Sequence, residues 1–496
     1  MTEREIKLAL PGRFAIPPLQ LDDRALTAVP RADLNLRATY YDTADLRLAR
    51  SGVTLRYRAG ETGGPIWTLK LPVGRNGSML ERYELHFDGP RREPPEQARL
   101  LVTAHARGAP LVAVATLRTK RRSVHLLRDE TFIAELAHDE VSVVENRHVV
   151  SRFRELELEA IDHDVDLEAL ASQLRLAGAT DAEPIPKVVR ALGSRATAPP
   201  DVAQRPLPSH PTMADALVTS IVAALARLVH HDPLARLGDI EGVHQARVAL
   251  RRLRSDLRTL ADVVEPDWLA DVEPRLQSLG SALGAARDLD VMVARFRERA
   301  GEDAPALGPL FERLDGRHAH ARRALRDALE DASYAALLDT LVDATRQPPV
   351  RPAGAEPAER ALPPLVLTAW GRLAKRADRL RARSAPEAFH RARIAAKRTR
   401  YAAELAASVL PAVPATGARA MASQLAGLQD LLGAMQDARV AEDTIVATLD
   451  RAPEPGYAFA AGRLAERCRA DAEAARAALL DRWPRVRRRR WRRWAS

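Results

Sequence analysis

The stretch that decides the reading is Glu3-Arg4-Glu5-Ile6-Lys7, at the start of the chain. Side chains alternate faces along a β-strand, so Glu3, Glu5 and Lys7 share one face. Two carboxylates and an ammonium make a poor packing surface, because burying charge is costly. Such a face is either solvated or it lines a cavity, where carboxylates hold a metal and the lysine meets an anion. The strands that follow choose between the two.

Up to about residue 160, short alternating segments are separated by Pro, Gly, Asn and Asp turns. Gly52–Arg58 places Thr54, Arg56 and Arg58 on one face. Ile66–Leu71 pairs Thr68 with Lys70, and Arg82–His86 pairs Arg82 with Glu84. Arg154–Glu159 sets Glu155, Glu157 and Glu159 opposite Leu156 and Leu158. Arg118-Thr119-Lys120-Arg121-Arg122 offers two parities, and the one showing Arg118, Lys120 and Arg122 inward is adopted here. Acids therefore gather on the first and last strands and bases on those between. A sheet whose charged face met only water needs no such segregation of sign. A closed or nearly closed barrel with a charged lumen explains it, its apolar face turned outward under helices such as 166–178. Carboxylates on one wall would hold Mg²⁺ or Mn²⁺, hard cations that prefer oxygen. Arginine and lysine on the other walls would grip phosphate oxygens.

Composition agrees with this chemistry. At 496 residues the chain holds two or three domains. Only 4% of residues are aromatic against 46% hydrophobic, so the cores rest on Ala, Leu and Val. The net charge of +10 favours anionic partners without choosing among them. A single cysteine, Cys468, excludes an intramolecular disulfide and a multi-cysteine zinc site. The sequence shows no leader and no run approaching 18 uncharged apolar residues, which sets the expectation of a soluble cytoplasmic protein.

Residues 196–212 are rich in Pro, Ala, Arg and Ser and read as a spacer between domains. Beyond it the period becomes helical. A second proline cluster at 348–364 divides this part, and its two portions, 213–347 and 360–485, repeat one another. Val243–Arg254 recurs as Phe389–Arg400, and the pattern Leu276…Leu283-Gly284…Asp288 returns as Leu425…Leu432-Gly433…Asp437. On a helix, His244, Arg247, Arg251 and Arg254 lie within about 80° of arc. The second copy sets His390, Arg393, Lys397 and Arg400 on the equivalent face. Like charges one turn apart repel, so two copies of one-signed stripe read as two walls of an anion cleft, the alternative being a solvated basic flank. Neither stripe interleaves the aromatics that stack bases, so phosphate alone is the better match. Each histidine either donates to phosphate or caps and packs its helix. The tail 486–496, rich in Arg and Trp, suits an anionic membrane surface, an extra clamp on a polyanion, or a helix end without a role.

Residues 1–195 resemble the CYTH, or triphosphate tunnel metalloenzyme, domain. The likeness rests on Glu3-x-Glu5-x-Lys7, Tyr41-Asp42-Thr43, Leu55-Arg56-x-Arg58, Thr68-Leu69-Lys70, Arg82-x-Glu84, Asp139, Glu157-x-Glu159 and Lys187, in that order. It implies an eight-stranded antiparallel tunnel binding triphosphates with a divalent metal, Mg²⁺ or Mn²⁺. By that resemblance Glu3, Glu5, Glu157 and Glu159 are metal ligands. Lys7, Arg56, Arg58, Lys70, Arg82, Arg118, Lys120 and Lys187 are phosphate contacts, and Glu3, Glu5 and Lys7 are catalytic. Glu84 and Asp139 either join the site or pair with neighbouring arginines. Residues 213–485 resemble the CHAD domain, which implies a polyphosphate-binding helical domain. The expectation is thus an α+β two-domain protein: a metal-dependent triphosphatase tunnel joined to a duplicated all-α polyphosphate binder. Two other readings stay open, a non-catalytic binding protein of polyphosphate granules and a processor of RNA 5′-triphosphate ends.

Overall fold

Alternation of charged and apolar residues builds the first unit, Met1–Asp201. Its strands are β1 (Thr2–Ala9), β2 (Gln20–Leu21), β3 (Arg24–Ala25), β4 (Thr27–Pro30), β5 (Leu34–Asp42), β6 (Thr54–Ala59), β7 (Ile66–Asn76), β8 (Met79–Phe87), β9 (Val112–Arg128), β10 (Thr131–Glu145), β11 (His148–Ala160) and β12 (Thr180–Asp181). The structure, a computed structural model, describes residues 2–11, 14–61, 63–76, 79–162, 164–449 and 454–495. Neighbouring strands run β1–β8–β7–β6–β5–β9–β10–β11 and back to β1, all antiparallel, so eight strands close into a barrel. β4 adds to β9 and β12 to β1. Closure removes the free edges that an open sheet must protect. The β9–β10 and β10–β11 hairpins turn on Asp129-Glu130 and Asn146-Arg147, both residues of each pair at positive φ, as two-residue hairpin loops require. After β6, Gly60 sits at φ +105°, so near the Asn35 carbonyl that no Cβ fits.

Six short helices cover this barrel: α1 (Arg47–Arg50), α2 (Glu96–Leu101), α3 (Thr103–Ala106), α4 (Leu167–Leu176), α5 (Lys187–Leu192) and α6 (Ser194–Thr197). Asp166 starts α4 by accepting from the Glu168 and Ala169 amides at 3.0 Å. The buried face of α4, Leu167, Leu170, Ala171 and Leu174, packs on the outward residues Ile6, Leu8, Leu136 and Leu158. Each such leucine contributes about 1.5–3 kcal/mol. Leu55, Trp67 and Leu69 lie outward under α2. One end of the barrel is filled by inward Ala38, Leu117, Val141 and Val143 packed on Val188 and Val189 of α5. Residues 196–201 stay with this unit: Ala196 joins that cluster, and Asp201 pairs with Arg50 at 3.1 Å and with Arg107.

The parity adopted at 118–122 is wrong. Thr119 and Arg121 point inward, and Arg118, Lys120 and Arg122 are exposed on the outer face. Both parities are basic, so alternation alone does not separate them. Register does: Arg121 stands opposite Asp139, with Leu117 and Thr119 buried on the same side. An inward Arg118 would put charge into the apolar end of the barrel. Arg118 and Lys120 are therefore not lumen residues.

The second unit, Val202–Ser496, is helical. It comprises α7 (Met213–Arg236), α8 (Ile240–Thr259), α9 (Pro266–Ala300), α10 (Gly308–Glu330), α11 (Ala332–Arg346), α12 (Ala358–Ala377), α13 (Pro386–Val409), α14 (Ala412–Val446) and α15 (Pro455–Val486). The duplication is visible in α7–α8–α9 against α12–α13–α14, with α9 and α14 both 35 residues long. Asp239 caps α8 through the Gly242 amide at 2.6 Å, and neither His244 nor His390 caps its helix, each lying a turn inside. Among the described helices α7 alone is long and apolar enough to cross a bilayer; half of that stretch is buried within the unit, with Leu217, Ile221, Leu225 and Leu228 in its core. The tail turns back through Arg489–Ala495. Trp494 packs on Gly417 of α14, and the Arg492 guanidinium stacks 4.4 Å from the Trp370 ring centroid. Ser496 lies outside the described residues.

Candidate functional site

The inward parity of the barrel brings Glu3, Glu5, Lys7, Arg56, Arg58, Lys70, Arg82, Glu84, Arg121, Glu135, Glu157, Glu159 and Lys187 around one cavity of about 210 Å³. Register explains who meets whom. Glu5 stands opposite Glu159 and Lys7 opposite Glu157; Glu3 faces Arg82, and Lys70 faces Glu84. The pairs follow. Lys70 Nζ lies 2.6 Å from Glu3 and 3.0 Å from Glu84, and Arg82 reaches Glu5 at 2.5 Å. Lys7 Nζ is 2.7 Å from Glu157 and 3.3 Å from Glu155. Lys187, the first residue of α5, reaches Glu157 at 2.6 Å, Glu155 at 2.8 Å and Asp139 at 3.0 Å. Arg121 binds Asp139 through both Nε and Nη2, at 2.8 and 2.7 Å, and Glu157 at 2.9 Å.

Two sets of groups depart from this balanced pairing. Burial and the charges of Glu3, Glu5 and Glu157 push the Glu159 carboxyl up to about 8, and among the described residues it forms no ion pair. Glu135, directly opposite on β10, adds a further carboxylate beside it. Here acid crowds on acid. On the other wall, Arg56 and Arg58 carry buried Nε atoms without a hydrogen-bond partner. Burial, then Arg56 and Arg121, hold the Arg58 guanidinium below its usual range despite its pairing with Glu61. The Tyr40 hydroxyl, 3.5 Å from Arg56, is pulled down by that guanidinium against the effect of burial. Here base crowds on base.

Around the first set, the Glu157 carboxyl lies well below the usual range. Burial opposes that shift, and Lys187, Lys7 and Arg121 outweigh burial. Among the described residues no three His, Cys, Asp or Glu groups are preset as a metal cage, since Glu3, Glu5 and Glu157 each engage a lysine or arginine. The donor set at Glu3, Glu5, Glu157 and Glu159 is nonetheless all carboxyl oxygen, and the crowding of acids that keeps a proton on Glu159 is what a hard divalent cation would relieve.

Sequence reasoning missed Arg121, Glu135 and Tyr40. Arg121 was hidden by parity. Glu135 does alternate with Ala134 and Leu136, but its strand was not among those read from the sequence, and Tyr40, between Thr39 and Tyr41, carries no charge to mark its face. Glu84 and Asp139 belong to the cavity network, pairing with Lys70 and with Arg121 and Lys187. Asp42 does not: it is buried behind α1, accepting from the Thr43, Leu48 and Ala49 amides at 2.7, 2.9 and 2.9 Å.

In the helical unit, α8 and α13 set the two basic stripes face to face. Arg251, Arg393 and Lys397 form no ion pair among the described residues, and the Nε atoms of Arg251 and Arg393 are buried without partners. Burial first, then Arg393, Arg251 and Arg247, pull the Lys397 ammonium down to about 7. Arg247 is drawn to Asp288 at 2.7 Å, Arg254 to Glu273 at 3.1 Å and Arg400 to Glu404 at 2.7 Å. His244 lies beside the cluster, held low by burial and by Arg287; His390 is exposed. The repeated Asp288 and Asp437 face this cleft, and burial raises Asp437 against the pull of Arg393.

A model of the CYTH domain matches residues 1–190 and one of the CHAD domain residues 219–446. An uncharacterized protein of Mycobacterium tuberculosis (strain ATCC 25618 / H37Rv) is 31% identical over 481 residues, covering 89% of each chain. The crystal structure of the CHAD domain from the plant Ricinus communis is 29% identical and covers 56% of this chain and 95% of that one, with a TM-score of 0.47. A Hippeastrum protein described as an adenylyl cyclase with a dominant triphosphatase activity is 15% identical and covers 38% of this chain and 93% of that one, with a TM-score of 0.24. With a charged barrel lumen in its first unit and a duplicated helical pattern in its second, the chain belongs to the proteins that join a CYTH domain to a CHAD domain.

Proposed function

We propose that the barrel hydrolyses a terminal phosphoanhydride of inorganic triphosphate or a related phosphate chain, and that the helical cleft binds polyphosphate. The observation that carries this reading is the segregation of charge in the lumen. The lining holds seven acidic and seven basic side chains, so net charge alone attracts nothing. Separation of sign does: Arg56 and Arg58 offer donors that no protein group satisfies, while Glu159 and its neighbours repel one another. A triphosphate accompanied by a divalent cation relieves both.

Glu3, Glu5, Glu157 and Glu159 would hold Mg²⁺ or Mn²⁺, which when bound supplies charge neutralisation at the phosphate oxygens. The chain's own residues bind and orient. Arg56 and Arg58 offer guanidinium donors to the phosphates, and Arg121, Lys7, Lys70, Arg82 and Lys187 add positive charge around them. In-line attack by water needs little more from the protein than position and charge. The charge on Lys187 is reinforced against burial by Glu157, Glu155 and Asp139, so it stays protonated. In the helical cleft, Arg251, Arg393 and Lys397 are the cations left free for a phosphate chain.

Phosphate release from triphosphate, thiamine triphosphate, ATP and long-chain polyphosphate, with Mg²⁺ or Mn²⁺, tests the first half. Glu5→Gln is expected to lower turnover at least about 100-fold. A chain that binds polyphosphate but releases no phosphate from any of the four would instead be a storage or granule protein, its barrel an end-cap. Displacement of polyphosphate by RNA at equal phosphate concentration would favour the RNA reading.

A further inference from the structure

Outside the lumen, the same strands build a second cationic surface. We propose that it is a separate binding groove for a linear phosphate chain on the exterior of the barrel. Its choice of ligand rests on the reading above; its existence rests on the groove itself. The outer faces of β9, β10 and β11 are apolar where α4 covers them and carry Arg118, Lys120, Arg122, Arg152 and Arg154 where they are exposed. Across the uncovered part, Arg37, Arg118, Ser142 and Arg152 stand in register on β5, β9, β10 and β11, followed by a second row of Asn35, Lys120, Glu140 and Arg154. The two rows line a groove of about 640 Å³. With strands about 4.8 Å apart, the groove runs about 14 Å across the sheet.

Three features point to an anionic chain. Arg37, Arg118, Arg152 and Arg154 are exposed and form no hydrogen bond or ion pair among the described residues. Arg37 is directly opposite Arg118, a like-charge cross-strand pair that destabilises a sheet. The acids nearby answer only weakly: Asp33 lies 3.5 Å from Lys120 and 3.8 Å from Arg122, and Glu140 lies 3.6 Å from Arg122. A solvated sheet face needs none of this. Phe153, the one aromatic among the lining residues, packs against the apolar barrel end with Arg190 stacked 4.5 Å from its ring centroid, so its ring is already engaged and does not offer a free platform for a base. Phosphates without bases therefore fit best, flanked by cations on both rows. Glu140 is the one lining acid and opposes the ligand.

The test is made on the full chain carrying Arg251→Ser and Lys397→Ser, so that the helical cleft is disabled and residual binding of long-chain polyphosphate comes from the barrel, where substitutions on its outer face separate the groove from the lumen. Adding Arg118→Ser and Arg152→Ser is expected to weaken that residual affinity about tenfold and to flatten its salt slope by about 1.4, two phosphate contacts' worth. Triphosphate turnover and the melting temperature should not fall. Glu140→Gln alone should tighten binding several-fold, which a merely structural residue would not do, and it keeps the test decisive if the double variant fails to fold. Unchanged affinity and slope in both variants would overturn the groove, and so would absence of residual binding in the cleft-disabled chain. Equal displacement by unstructured RNA of matched phosphate number would overturn the assignment to a simple phosphate chain. Loss of polyphosphate binding on disabling the cleft, measured in the otherwise intact chain, judges the cleft separately, and phosphate release judges the lumen.

Discussion

Glu159 shows how one residue's environment carries its own test. Its carboxyl is held at about 8 by burial and by Glu3, Glu5 and Glu157, against 4.5 in an unfolded chain. The unfolded chain loses this proton first, so the group costs stability progressively as pH rises from about 4.5 to about 8, and the cost is constant above that. Glu159→Gln imitates the protonated form. In metal-free buffer it should melt several degrees above the parent at pH above about 8, and the two curves should meet at about pH 4.5. Asp42 offers the contrasting case of a buried acid with a scaffold role. Its carboxylate satisfies three backbone amides at the start of α1, so Asp42→Ala should cost about 3 kcal/mol in urea unfolding, with KM for triphosphate unchanged in whatever fraction stays folded.

The strand is the element that makes the lumen, and parity is its currency. Lys7, Arg56, Lys70, Glu157 and Glu159 were legible because each stands between apolar residues that have somewhere to pack, and Glu3, Glu5, Thr54, Arg58 and Arg82 because they share a face with charged or polar residues at period two. The run Arg118–Arg122 was not, because polar residues occupy both faces; pairing of Arg121 with Asp139 chose for it. The helix pair α8 and α13 makes the other site. There Lys397 titrates near 7 because it is buried and three arginines surround it. A lowered ammonium regains its proton when an anion arrives, so polyphosphate binding at about pH 8 should take up protons, and affinity should rise as pH falls from about 10 toward about 7. Calorimetry in buffers of different ionisation enthalpy measures that uptake, and Lys397→Gln should abolish most of it.

At the scale of the whole molecule, on the proposed reading, the two units would divide the work by the geometry each supplies. A closed barrel would enclose a short, highly charged group, and paired helices would offer an extended cationic face. Replacing His244, Arg251, His390 and Lys397 together should weaken polyphosphate binding at least about tenfold while triphosphate turnover stays within about twofold. A parallel fall of both would mean that the helical unit serves catalysis directly.

What the chain's own order determined is the class of each unit. Period-two alternation with signs sorted by strand pointed to a closed charged lumen, and a duplicated helical pattern to two similar basic stripes, because both follow from where side chains point along a regular backbone. What tertiary structure alone decided is which charges meet. Arg121 enters the lumen, Glu135 joins Glu159, Arg254 and Arg400 are drawn away to Glu273 and Glu404, and Arg118 and Lys120 turn outward to a groove of their own. Those outcomes depend on register and on the packing of elements distant in sequence, and electrostatic pairing acts over a few ångströms that no local pattern encodes.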